Sequence, residues 1–113
     1  IRVIPIEEFH ARGPEDVMTE ARAIAGSGDT YVSYDIDFVD PAYAPGTGTP
    51  SHGGFLYYEV LELLQHVARN HEVVGMDLVE VAPDYDPSQS TQILAAQVLL
   101  NFLGFIFHAK GFR

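Results

Sequence analysis

Two aspartates, Asp35 and Asp37, stand two residues apart at the end of the run Thr30-Tyr31-Val32-Ser33-Tyr34-Asp35. That run is rich in β-branched and aromatic residues and reads as a strand. In extended backbone, side chains at i and i+2 leave the same face, so the two carboxylates converge where the strand stops. Carboxylates that close repel, and the remedies are a proton kept on one of them or a bound cation; a divalent metal is the natural occupant. Ligands of parallel α/β sheets gather beyond the carboxyl ends of the strands, which is where this pair falls. Taken alone, an Asp-x-Asp is more often a solvated turn, here with Asp40-Pro41 as part of it. A third carboxylate, Glu80, lies near the end of the later apolar run Val73 to Val81. By itself it reads as readily as a strand-end residue in solvent as it does as a functional group.

The elements that must position these groups alternate. The opening Ile1-Arg2-Val3-Ile4-Pro5-Ile6 reads as a strand already under way, with no initiator Met or cap before it, which suggests a fragment. Pro14 suits the first position of a helix, Val17, Ala21 and Ile24 fall at i, i+4 and i+7, and Gly26 closes it. After the strand that ends at Asp35, the segment from Asp40 to Gly54 holds so many prolines and glycines, in so particular an order, that it is a shaped loop. Tyr57 to Ala68 returns to helical spacing with Val60, Leu61, Leu64, Val67 and Ala68 on one stripe, and Val73 to Val81 is the third strand. The last helix is expected to start with Ser90 or Thr91 as its cap and to run to about His108. Alternating strands and helices imply an α/β fold with a parallel sheet, because parallel neighbours need a crossover. Three strands alone make a poor α/β domain, and the last helix is apolar almost all round, so cover from further protein is expected.

Composition narrows the chemistry. Sixteen acidic residues against six basic ones give a formal charge of −10, which opposes nucleic acid and favours a small cation or a metal ion. There is no cysteine, so a disulfide framework, a zinc-thiolate site and a thiol nucleophile are excluded, and a reducing cytoplasm suits the chain. The most apolar run, Ile93 to Ala109, carries Gln97, Asn101 and His108 and falls short of the roughly 20 apolar residues of a membrane span, so a buried helix is expected there. His10, His52, His66, His71 and His108 show no metal-ligand spacing with one another or with a carboxylate, and none is assigned as a ligand. Only His52, in the loop, is expected near the site.

The stretch Ser33-Tyr34-Asp35-Ile36-Asp37-Phe38-Val39-Asp40-Pro41-Ala42-Tyr43-Ala44-Pro45-Gly46-Thr47-Gly48-Thr49-Pro50, followed by Gly53-Gly54, resembles the signature of the ureohydrolase (arginase/agmatinase) family. A second family-like stretch, Val74-Gly75-Met76-Asp77-Leu78-Val79-Glu80-Val81-Ala82-Pro83, follows at a fitting distance, with Tyr85-Asp86-Pro87 and the Thr91 helix after it. The likeness covers nearly the whole chain. It implies the C-terminal part of a three-layer α/β/α parallel-sheet arginase-like fold, with residues 1–113 as the C-terminal portion of one ureohydrolase domain.

The resemblance further implies that Asp35 bridges two Mn²⁺ ions, that Asp37 binds one of them and carries a proton, and that Glu80 pairs with a substrate guanidinium. Thr49, in the glycine-rich loop, would hydrogen-bond the groups around the ligands. A hydroxide between the metals would attack the guanidinium carbon, and collapse of the tetrahedral intermediate would expel an amine and leave urea. The Gly46 form of the loop looks like the agmatinase branch, which also includes guanidinobutyrase, guanidinopropionase and proclavaminate amidinohydrolase. Agmatine, giving putrescine and urea, is the favoured substrate. The family's other ligand-bearing segments, of Gly-Gly-Asp-His and Asp-Ala-His-x-Asp type, do not occur here, so the 113-residue chain alone is expected to hold metal weakly and to release no urea. Family members are commonly trimers or hexamers. The competing expectation is a non-catalytic homologue that keeps the aspartates as a metal-binding or assembly module.

Overall fold

In the computed structural model, which describes residues 1–112, the chain opens on extended backbone that leads into a helix, α1 (Ile6–Arg12), where a strand was expected. The cause is local. Pro5 occupies the N-cap, Glu7 and Glu8 place negative charge in the first turn, Arg12 places positive charge in the last, and Gly13 at φ 84° ends the helix. A strand over residues 1–6 would also need a neighbour for its backbone hydrogen bonds, and among the described residues none pairs with it. Arg2 instead joins Glu8 and Glu20, while Arg12 joins Glu8, Asp16 and Glu20. These surface pairs fix the lie of α1 on α2 (Pro14–Ala25) more than they stabilise the fold. Helix α2 has the predicted limits, with Pro14 first and Gly26 at φ 78° after its end. Of its predicted stripe, Val17 is buried and Ile24 is exposed.

The sheet consists of β1 (Asp29–Asp35) and β2 (Glu72–Val79), which run parallel and are joined through α3 (Tyr57–Asn70). Val32 pairs with Met76, Tyr34 with Leu78, and Asp35 with Val79, so both strands leave the sheet at one end. Side chains alternate across the sheet. Val32 and Tyr34 with Met76 and Leu78 join the core, where Val60, Leu64 and Ala68 of α3 meet Leu94, Val98 and Phe102 of α4 (Ser90–Ala109). On the other face the Tyr31 and Ser33 hydroxyls donate to Asp77 at 3.1 and 2.8 Å.

Helix α4 differs from its sequence reading in two ways. Its N-cap is Gln89, in left-handed backbone and making no side-chain cap bond; the free N–H of Thr91 donates instead to Asp86 Oδ2 at 2.7 Å. Its burial is one-sided. Thr91, Leu94, Ala95, Val98 and Phe102 face inward, while Ile93, Leu100, Leu103 and Phe107 are exposed. By length and composition this helix could cross a membrane. Its inward stripe, however, closes the core against α3.

Phe102 is fully buried and Leu100 is 72% exposed, one helical half-turn away. Phe102→Ala is expected to cost about 3–5 kcal/mol in urea unfolding and Leu100→Ala less than about 1 kcal/mol. Equal losses would contradict this placement of α4.

Candidate metal and substrate site

β1 stops at Asp35 because the next three residues, Ile36–Phe38, wind into a 3-10 turn. Ile36 is fully buried and pins that turn to the core. Asp35 Oδ1 accepts the backbone N–H of Asp37 at 3.1 Å and so caps it. Asp37 thus lies in a turn that Asp35 caps, and the expectation that both project from one face of extended strand needs correcting, since Asp37 lies beyond the strand. Asp37 Oδ2 accepts the hydroxyl of Thr49 at 2.5 Å. Both aspartates are half-buried. Among the described residues the second oxygen of each accepts no hydrogen bond from the protein.

Glu80 directly follows Val79, the register partner of Asp35, so it emerges at the same end of the sheet on the neighbouring strand. Its side chain is exposed, and its backbone takes φ 66°, the left-handed region that glycine favours. Such strain survives only where the surroundings impose it.

The loop that brings Thr49 to Asp37 is closed by Asp40. Its Oδ1 accepts the N–H of Ala42 and its Oδ2 that of Gly53, both at 2.9 Å. The N–H groups of Ala42, Gly53 and Gly54, in that order of effect, hold this carboxyl below the usual carboxylate range. The backbone adds to the closure, with Asp40 donating to Phe55 at 3.0 Å and Phe55 to Phe38 at 2.9 Å. Gly54 is required here, because a Cβ would stand 2.6 Å from the Phe38 carbonyl oxygen and from the Asp40 nitrogen. Sequence reasoning treated Asp40 as a turn residue only; the available signal was an Asp-Pro answered by Gly53-Gly54.

A second carboxylate knots the loop to the rest of the site. Asp86 is 3% exposed and accepts both the N–H and the hydroxyl of Thr91 at 2.7 Å, and the hydroxyl of Ser88 at 2.5 Å. The Ser88 hydroxyl and the two Thr91 donors pull its pKa down to about 2. Thr91 Oγ1 in turn accepts the N–H of Gly46 at 2.8 Å, and the Gly46 carbonyl accepts the N–H of Ala82 at 2.7 Å. A Cβ on Gly46 would lie 2.8 Å from both the Asp86 Cβ and the Thr91 hydroxyl. The loop, the chain after Glu80 and the start of α4 thus form one hydrogen-bonded unit.

Carboxylate oxygens at the end of β1 are hard donors, and the free oxygen on each of Asp35 and Asp37 fits a divalent ion such as Mn²⁺ as part of its shell. The described residues contain no cluster of three or more His, Asp or Glu that could hold a metal ion. None of the five histidines joins the pair, and His52 lines a cleft that also touches Asp37.

The sequence profile described as the arginase family matches residues 1–104. The chain is 44% identical to guanidinopropionase from Pseudomonas aeruginosa over 103 residues, covering 91% of this chain and 32% of that protein. It is 45% identical to a mitochondrial agmatinase from Gallus gallus, covering 90% of this chain and 30% of that protein. Among solved structures, proclavaminate amidino hydrolase from Streptomyces clavuligerus superposes with a TM-score of 0.89 at 43% identity, over 96% of this chain and 37% of that one. The chain spans about a third of the length of the curated relatives it matches.

Two outcomes follow from the geometry. The pKa of Asp86 is depressed in the fold from an unfolded value of about 3.9, so its contribution to stability is complete above that value and is lost as pH falls through about 2. Asp86→Asn should lower the Tm at neutral pH and flatten its decline between about pH 5 and 2; a variant that keeps the wild-type pH dependence would contradict this. At Glu80, left-handed backbone costs a non-glycine residue about 1–2 kcal/mol. Glu80→Gly should therefore be at least as stable as the wild type in thermal melts and Glu80→Val clearly less so, and a marked loss in the glycine variant would refute the assignment.

Proposed function

The chain belongs to the arginase family, and on that premise we propose that it is the C-terminal portion of a ureohydrolase domain that hydrolyses a guanidino compound with the help of manganese. Agmatine, cleaved to putrescine and urea, is the proposed substrate. The observation that supports the reading is the pair of aspartates at the exit of β1, capped into one turn and steadied by Thr49.

Asp35 and Asp37 would hold the metal, each through the oxygen left free by its hydrogen bond. When bound, manganese supplies the lowered water pKa that makes a nucleophile available near neutral pH. The chain's own groups supply the rest. Glu80, on the neighbouring strand end, offers two acceptor oxygens to the planar N–H donors of a guanidinium and fixes its orientation. On this reading Asp37 takes a proton from the attacking water and delivers it to the leaving amine nitrogen, and the Thr49 hydroxyl that donates to Oδ2 limits the rotation of the carboxylate. The formal charge of −10 attracts a cationic substrate from a distance. The whole protein is read as a cytoplasmic homo-oligomer, a trimer or a hexamer.

A urea assay of the complete gene product with Mn²⁺ and agmatine tests this. Urea release is expected, with a loss of at least about a hundredfold in kcat for Asp37→Asn. The isolated 113-residue chain should release none, because two carboxylates neutralise and enclose the metal incompletely. Manganese binding by the complete product without urea from any guanidino compound would favour a metal-holding homologue over a hydrolase.

A further inference from the structure

Gly46 is held through both of its backbone polar groups, its N–H on Thr91 Oγ1 and its carbonyl under the N–H of Ala82. Ala82 leads into the 3-10 turn Pro83–Tyr85, in which the Tyr85 N–H donates to the Ala82 carbonyl and the Asp86 N–H to that of Pro83, both at 3.0 Å. Asp86 Oδ2 accepts the Thr91 hydroxyl, so the bonds close a ring that passes through Gly46, Thr91, Asp86 and Ala82. The Thr91 hydroxyl spends its one hydrogen on Asp86 and a lone pair on Gly46, and giving up the hydrogen to a carboxylate makes its oxygen a stronger acceptor. Thr91 is fully buried and Asp86 nearly so, which leaves water little chance to replace either bond.

Glu80 lies two residues before this ring. Val79 on one side of it is fixed by its pairing with Asp35, and Val81 on the other packs against the core before Ala82 enters the ring. The left-handed backbone of Glu80 joins these two fixed segments. The strain therefore has an identifiable source, and the residue that bears it carries the exposed carboxylate at the exit of β2.

We propose that Asp86 and Thr91 are positioning residues that aim the Glu80 carboxylate at the substrate guanidinium by fixing, through Gly46, the backbone that follows it. The assignment rests on the reading of Glu80 as the partner of the guanidinium. With the ring broken, Ala82 loses its hold on Gly46, and Glu80 is free to relax out of the left-handed region and carry its side chain off the substrate. Asp35 and Asp37 are set by their own capped turn, so the ring bears on the substrate and not on the metal.

The test is steady-state urea release from agmatine by the complete gene product, with each variant made in both the wild-type and the Glu80→Gln backgrounds. Thr91→Val keeps the shape of the side chain and removes the hydroxyl; it should lower kcat/KM about tenfold in the wild-type background and less than about twofold beside Glu80→Gln, because the charge being aimed is then already gone. Thr91→Ser restores the hydroxyl and should bring kcat/KM back to within about twofold of the wild type. Asp86→Asn, which retains one acceptor oxygen, should show the same dependence on background and serves if Thr91→Val does not fold. The dissociation constant for Mn²⁺ should stay within about twofold throughout. Equal losses in the two backgrounds, or a parallel loss of manganese affinity, would overturn this inference alone. No urea from any guanidino compound with the wild type would overturn the functional reading and this inference with it.

Discussion

Parallel pairing of β1 with β2 is the constraint from which the arrangement follows. Two parallel strands leave a sheet at the same end, and the register that sets Asp35 opposite Val79 puts Asp35 and Glu80 at adjacent exits. Antiparallel pairing of the same segments would place them at opposite ends. The pairing in turn requires the α3 crossover, and the buried stripe of α3 seals the inward face of the sheet together with α4. A two-stranded sheet is marginal by itself, so the core contributed by Val60, Leu64, Val98 and Phe102 is what keeps the strand ends side by side.

The acidic residues then divide into two kinds. Asp40 and Asp86 direct their oxygens at backbone N–H and hydroxyl donors, and their pKa values fall because those donors favour the charged form. They shape the loop. Asp35 and Asp37 each keep an oxygen with no protein partner among the described residues, beside a loop that the other two hold in position. In so acidic a chain, this commitment of some carboxylates and availability of others is what makes Asp35 and Asp37 the candidate ligands.

Much of this was legible in the sequence, because α2, α3, β1 and β2 follow from periodicity and from the Gly and Pro residues that bound them. The glycine-rich stretch was legible as a shaped loop, and its glycines have separate reasons: Gly46 and Gly54 leave no room for a Cβ, while Gly53 stands at φ 81°. Residues 1–6 were misread, because an alternating apolar run specifies a strand only when a neighbour accepts its hydrogen bonds, and here Ile6 begins a helix. The roles of Asp40 and Asp86 were not legible either. Each acts on donors distant in sequence or in a turn of unforeseen shape, Asp40 on Gly53 and Asp86 on Thr91. The cap of α4 was assigned to Ser90 or Thr91 for the same reason: sequence shows a residue able to cap, while only the fold shows that Asp86 reaches the free N–H first.

The central claim is that the exit of β1 holds the metal through Asp35 and Asp37. The most direct measurement is anomalous X-ray scattering at the manganese edge from crystals of the complete gene product grown with Mn²⁺. The account predicts peaks in contact with carboxylate oxygens of both Asp35 and Asp37. A fully loaded protein with manganese elsewhere, and neither aspartate touching it, would contradict it.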